Sequence, residues 1–97
     1  MSKRGTEIRF PLIAAKFFPN GLPYGRCGVV IRKGLVKKAS DRNAIRRAIL
    51  RTAQSSDVPR KLPGIDLLIV VRGVGNGRLP DDLARETSNA ISDIMQR

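Results

Sequence analysis

No histidine occurs in this chain, and it holds a single cysteine, Cys27. The first absence removes the usual general base at neutral pH and the commonest metal ligand. The second excludes an intramolecular disulfide, which fits a reducing compartment, and the two together leave no residue set for zinc. Only 8 Asp and Glu are present, and they are dispersed, a poor start for a carboxylate cage around magnesium. The serines have no histidine to activate them. Cys27 falls in a predicted strand and reads as a small core hydrophobe. Asp81 and Asp82 point to different faces of a predicted helix and read as helix-start residues. Long apolar runs are missing too. Nothing approaches the ~18–20 residues of a membrane span, and no apolar stretch of signal-peptide type follows the basic N-terminus. The expectation is a cytoplasmic protein with no active site of its own and no cofactor bound by the protein alone.

What the chain has is positive charge, and the charge is uneven. The 97 residues carry a formal net charge of +11. Residues 26–51 alone carry a net +8, residues 1–25 a net +3, and residues 52–97 none. A field that concentrated points to a polyanionic partner. Its centre is RKGLVKKASDRNAIRRAILR, residues 32–51, where Asp41 is the lone acid. From Arg42 onward the spacing predicts a helix, over about 41–54, capped by Ser40 or Asp41. Arg42, Asn43, Arg46, Arg47 and Arg51 span one half of its wheel; Ala44, Ile45, Ala48 and Ile49 fill the other. Arg42 with Arg46, and Arg47 with Arg51, stand one turn apart, where like charges repel. A planar guanidinium fork suits phosphate, so these pairs read as awaiting an anion.

In chain order, residues 7–18 predict a strand, with Pro11 marking an edge or a bulge. Asn20-Gly21, framed by Pro19 and Pro23, predicts a turn. A second strand over 26–32 is expected to pair with the first as an antiparallel hairpin. Gly28 within it reads as a bulge, with close approach of another backbone as the alternative. Residues 33–39 connect to the helix, and 55–64 form a loop. Residues 65–72 are the clearest strand: the run Leu67–Val71 predicts burial on both faces and a central place. The loop GVGNGR, 73–78, fails the G-x-G-x-x-G spacing because Arg78 stands where the third glycine belongs, and no P-loop lysine follows. It reads as a connector, with Arg72 and Arg78 beside it able to touch phosphate. A last helix over 80–96 starts with Pro80, Asp81 and Asp82. Leu83, Thr87, Ala90, Ile91, Ile94 and Met95 should face the sheet. The order β-β-α-β-α makes a single α+β domain over 1–97, a small sandwich of helices packed on a mixed sheet.

The aromatics Phe10, Phe17, Phe18 and Tyr24 all lie in the first quarter. They read as core bulk, or as platforms on which unpaired bases stack. In a regular strand Phe10 and Phe17 point to opposite faces unless Pro11 shifts the register.

At this point LVKKASDRNAIRR, with the strand before it, resembles the signature of the protein subunit of bacterial ribonuclease P. Ile31, Lys33 and Leu35 stand at the strand-end valine, lysine and next valine of that family. Lys38-Ala39 matches its K-A, Arg42-Asn43 its R-N, Ile45 its aliphatic, and Arg46-Arg47 its basic pair. The likeness covers about residues 8–95. Ala44 replaces the motif's third residue, Arg32 and Gly34 depart from the strand end, and Leu50 stands where a further basic residue is usual. The resemblance is to a short, divergent member lacking most of the family's N-terminal helix. It implies a ribonuclease P protein-like fold and an accessory subunit of the endoribonuclease that matures tRNA 5′ ends. It implies two partners, the catalytic RNA and precursor tRNA, with a monomer in the ribonucleoprotein and no membrane. Arg32, Lys33, Lys37, Lys38, Arg42, Asn43, Arg46, Arg47 and Arg51 would contact the RNA. Phe10, Phe17 and Tyr24 are the candidates for the precursor's 5′ leader. Hydrolysis would belong to magnesium held by the RNA. The rival readings are a structural, ribosomal-type RNA-binding protein, a DNA-binding module, for which no helix-turn-helix pair is evident, and a free-standing hydrolase.

Overall fold

The computed structural model describes residues 5–31, 34–73 and 79–96, with Leu79 by its backbone alone. Its elements are β1 (Thr6–Arg9), β2 (Ile13–Pro19), β3 (Arg26–Ile31), α1 (Ala39–Ser55), α2 (Val58–Lys61), β4 (Ile65–Val71) and α3 (Leu79–Met95). Two differ from the expected order. The strand expected over 7–18 is broken at Phe10–Leu12 into an antiparallel pair, with Arg9 opposite Ala14. Pro11 is the cause: it has no N–H for a ladder and a fixed φ, so the chain turns there. Phe10 N–H closes the turn on Ile13 O at 2.8 Å. The expected loop after α1 also contains one helical turn, α2.

The sheet runs β1-β2-β4-β3. β4 lies between β2, to which it is antiparallel, and β3, to which it is parallel. The expected hairpin of the first strand with 26–32 therefore does not form. The Asn20-Gly21 turn exists, with Gly21 at φ +70. It serves residues 20–25 in stepping over β4, two strand spacings or about 10 Å. Asn20 organises that step by accepting from Leu22 N–H at 2.7 Å and donating to Tyr24 O at 3.1 Å and to Asp66.

Both long helices pack on one face of the sheet. Ile13, Ala15, Leu67, Ile69 and Val71 meet Ile45 and Ile49 of α1 and Leu83 and Ile91 of α3 in one core. β4 is central, as its apolar run implied, but burial alternates along it: Leu67, Ile69 and Val71 are buried, whereas Leu68 and Val70 are half-buried. The second face, expected to be covered, carries no helix among the described residues. α3 faces the sheet as predicted through Leu83, Thr87, Ala90, Ile91 and Ile94, but Met95 is exposed. Thr87, fully buried, donates its hydroxyl to Leu83 O at 2.8 Å, so no polar atom is stranded there. Glu86 of the same helix reaches the β1–β2 turn, where its carboxylate accepts from Leu12 N–H at 2.8 Å and Ile13 N–H at 3.2 Å. Arg72 holds the turn from the other side through Phe10 O at 2.8 Å.

Candidate nucleic-acid interface

α1 begins at Ala39, so Ser40 and Asp41 lie inside its first turn and neither caps it; Lys38 is the capping residue and offers no side-chain bond. Asp41 still favours the positive end of the helix dipole, whereas Lys37 and Lys38 stand there as exposed cations. The helix buries Ile45, Ile49 and Ala53. Ala44, expected on the packed half, is exposed, and Ala48 is only half-buried. The buried sector is narrower than half the wheel because a single stripe meets α3 and β3.

Asn43, Arg46, Arg47 and Arg51 are exposed, as expected of the basic face. Arg42 is not their equivalent. Seven residues before Ile49, it lies only about 20° from that buried side chain on the wheel. It is half-buried, and its Nη1 donates to Val36 O at 2.8 Å and Lys37 O at 2.9 Å. Arg42 thus ties the connection before α1 to the helix and sets where Lys37 and Lys38 stand. Arg32 and Lys33 lie outside the described residues, as do residues 74–78 of the glycine loop.

Ion pairs decide which cations remain available. Among the described residues they join Arg9 to Glu7, Arg26 to Asp66, Arg60 to Asp57 and Arg85 to Asp82. None involves α1. Its cations keep their full charge for a partner.

The uncovered sheet face is a second surface. The register aligns Arg9, Ala14, Val70 and Val30 in one row, and Glu7, Lys16, Leu68 and Gly28 in the next. Phe18, Asp66 and Arg26 form a third. Phe18 is 36% exposed. Its ring stands between a hollow of about 420 Å³, floored by Gly28 and Leu68 and bounded by Arg26 and Asp66, and another of about 370 Å³ beside Glu7 and Lys16. Gly28 sits in regular register opposite Leu68, so the expected bulge is absent. Its missing side chain instead deepens the hollow. Arg26 grips Asp66 with two bonds of 2.8 Å. That grip, with the Asn20 amide, holds the Asp66 carboxyl down at about 2. Three cations face two carboxylates here, so this face is far less positive than α1 and is suited to stacking more than to phosphate.

The three aromatics named for the 5′ leader fall elsewhere. Phe10 and Phe17 both lean on the core, because the Pro11 turn resets the alternation between them. Tyr24 is exposed in the loop before β3, at the end of the sheet. Phe18, read with the other aromatics as core bulk or a stacking platform but not among the leader candidates, is the one placed on this face; anchoring the alternation on Ile13 and Ala15 as buried would have singled it out. Cys27 is half-buried and its thiol is pushed up to about 11 by burial, in keeping with an inert packing residue.

Comparison with known proteins adds to this geometry. The family described as Ribonuclease P matches residues 1–95 of the chain. No curated protein matches it. Several solved structures do. A Staphylococcus aureus RNase P protein mutant with defective mRNA degradation activity superposes with a TM-score of 0.76 at 18% identity, over 97% of this chain and 77% of that one. The S. aureus RNase P protein gives 0.71 at 19%, over 97% and 81%. The Thermotoga maritima RNase P protein, in complex with 1-(4-fluorophenyl)-2-thiourea, gives 0.63 at 22%, over 97% and 79%. At these identities the superpositions speak for the fold.

Proposed function

The chain belongs to the ribonuclease P family, and from that premise we propose a division of labour between its two surfaces: α1 docks on the catalytic RNA, and the open sheet face takes the precursor's 5′ leader. The protein is a ribonuclease P subunit that binds the ribonuclease P RNA and precursor tRNA and serves endonucleolytic maturation of tRNA 5′ ends. The observation that carries the division is the state of the α1 cations: Arg46, Arg47 and Arg51 are exposed, and no described acid pairs with them. Lys37 and Lys38 at the positive end of the helix add to the unfavourable field that a phosphate would relieve. Lys37, Lys38, Asn43, Arg46, Arg47 and Arg51 are therefore assigned to the RNA. Arg42 is assigned to positioning, and Arg32 and Lys33 are assigned to the RNA on sequence alone.

On the sheet face, Phe18 takes the stacking role in place of Phe10 and Phe17. Chemistry at the scissile phosphodiester is assigned to the RNA. Among the described residues no group of three or more His, Cys, Asp or Glu is placed to hold a metal ion. By this reading magnesium belongs to the RNA, and the protein acts there as a monomer. No described helix is long and apolar enough to cross a membrane, and the single cysteine suits a cytoplasmic setting.

The test is cleavage of a 5′-extended precursor tRNA by the source organism's ribonuclease P RNA at low magnesium, with and without the protein. Wild type should stimulate cleavage. Arg46→Ala with Arg47→Ala should abolish the stimulation and lower the salt slope of RNA binding by about 1.5. The double variant should fold normally, since neither side chain makes a bond among the described residues. Unchanged affinity at physiological salt would refute the assignment.

A further inference from the structure

Leu50 breaks the basic face of α1. It lies one turn after Arg46 and one turn before Gln54, and 37% of it is exposed. It is no part of the core. It borders a hollow of about 190 Å³ where α1, α2 and β3 meet, lined by Cys27, Leu50, Ala53, Gln54, Val58 and Pro59. The floor is apolar and solid, Ala53 and Val58 being 4% and 1% exposed. Gln54 supplies the one amide at the rim.

Residue 25 fixes the far wall. A Cβ there would stand 2.4 Å from Leu62 O and 2.7 Å from Val58 O, so only glycine allows α2 to lie this close to the start of β3. Gly25 N–H then pins the wall through Pro59 O at 3.0 Å. The hollow is thus built into the fold rather than left by a loose side chain. It is smaller than the ~300–1,000 Å³ of pockets for drug-sized ligands and suits one flat ring system.

We infer that this hollow takes a single unpaired base of the RNA on which α1 docks, held against Leu50 and Pro59 with its polar edge toward the Gln54 amide. The inference rests on the docking role given to α1 above. Charge complementarity selects the occupant. Exposed cations with no ion pair among the described residues flank the hollow on both walls: Arg46, Arg47 and Arg51 on α1, and Lys61 two residues beyond Pro59 on α2. A nucleotide offers an apolar ring face, a polar ring edge and a phosphate on either side, which matches that order of groups. An apolar protein side chain would fill the hollow and leave the cations unmatched.

Two readouts test this on the full chain with the organism's ribonuclease P RNA. The first is RNA affinity against salt. Leu50→Ala should weaken binding about tenfold, the worth of one base contact, with the salt slope unchanged. Gln54→Ala should weaken it less, again at constant slope. Arg46→Ala with Arg47→Ala must lower the slope in the same assay. The second readout is Cys27, the chain's single thiol and part of the wall. Its reaction with a small neutral thiol reagent at mildly alkaline pH should slow at least fivefold in the wild-type complex.

Should the arginine pair leave binding untouched, the docking role itself fails. Should the pair act as expected while Leu50→Ala binds like wild type and Cys27 reacts equally fast with and without RNA, the base slot is refuted and the docking role stands. Shielding of Cys27 that follows protein concentration without RNA would assign the hollow to a second copy and overturn the proposal. Thermal melts of both Leu50 and Gln54 variants should match wild type, since neither side chain belongs to the core.

Discussion

Gly25→Ala is the substitution for which the structure gives the sharpest expectation. Gly25 is buried, and the added carbon would meet two backbone oxygens, Leu62 O at 2.4 Å and Val58 O at 2.7 Å. Contacts between carbon and carbonyl oxygen normally lie near ~3.3–3.6 Å, so α2 must back away by about 1 Å. Neither oxygen can swing aside. Val58 O is held by Leu62 N–H at 2.9 Å, and both belong to one helical turn anchored by the buried Val58 and Leu62. Retreat breaks the bond from Gly25 N–H to Pro59 O, worth about 1 kcal/mol, and loosens two core side chains, worth about 1–3 kcal/mol for an overpacked site. The sum, about 2–4 kcal/mol, is a large share of a small domain's stability. For a chain of this length it lowers Tm by roughly 10–25 °C. The assay is thermal and urea unfolding followed by circular dichroism. Gly34→Ala is the control: nothing lies within 4 Å of a Cβ there, so it should be neutral or slightly stabilising through the unfolded chain. A Gly25→Ala loss below about 1 kcal/mol would show that α2 does not lie against residue 25, and the wall of the base slot would go with it.

Two further predictions concern the open sheet face. The Asp66 carboxyl is held at about 2, below its ordinary 3.8, first by the bond from Arg26 and then by that from Asn20. A depressed folded pKa contributes stability that is fully present above about pH 4 and is lost as pH falls toward 2. Asp66→Asn should therefore flatten the stability profile between pH 4 and 2, and a wild-type acid limb in the variant would refute the pairing. Phe18→Ala should leave Tm within a few degrees of wild type while weakening binding of 5′-extended tRNA relative to mature tRNA about tenfold. Equal loss for both tRNAs would remove Phe18 from the leader path.

Local rules reached much of this fold. The apolar run Leu67–Val71 located the central strand, and Pro80, Asp81 and Asp82 marked the start of α3. The Arg/Ile pattern after Asp41 set out α1 to within two residues at its start. What escaped was pairing. Pro19, Asn20 and Gly21 announce a turn, but a turn does not name the neighbour of the strand that leaves it. β4, forty residues on, has the strongest claim to the middle of the sheet and takes the place between β2 and β3. That competition is decided by burial across the whole sheet, which no local signal contains. The face of each aromatic was hidden for a related reason. Alternation gives parity and no anchor, and the Pro11 turn resets even the parity, so Phe10 and Phe17 share the core side and Phe18 is left exposed. Arg42 looked like its neighbours because residue type alone does not show that its guanidinium is engaged by Val36 and Lys37 carbonyls. The base slot was legible only as an oddity, a leucine amid arginines.

Binding and folding therefore fall on different residues, and this follows from where partners were found within the chain. Glu86 is engaged by the Pro11 turn, Asp66 by Arg26 and Asn20, and Arg42 by the strand-to-helix connection. Changing any of these alters the scaffold first. Arg46, Arg47 and Arg51 make no such bond among the described residues, and their mutual repulsion lowers helix stability slightly, by a few tenths of a kcal/mol per pair. Their removal should leave the fold as stable as before or a little more so, while RNA affinity collapses. α2 is the exception to this separation. It carries the exposed Lys61, supplies Pro59 to the slot, and rests on Gly25 through a contact that no other residue permits. A lesion at residue 25 should therefore appear twice, as a lower Tm and as weaker RNA binding at temperatures where the rest of the domain remains folded. A lesion at residues 46 and 47 should appear only in the second measurement.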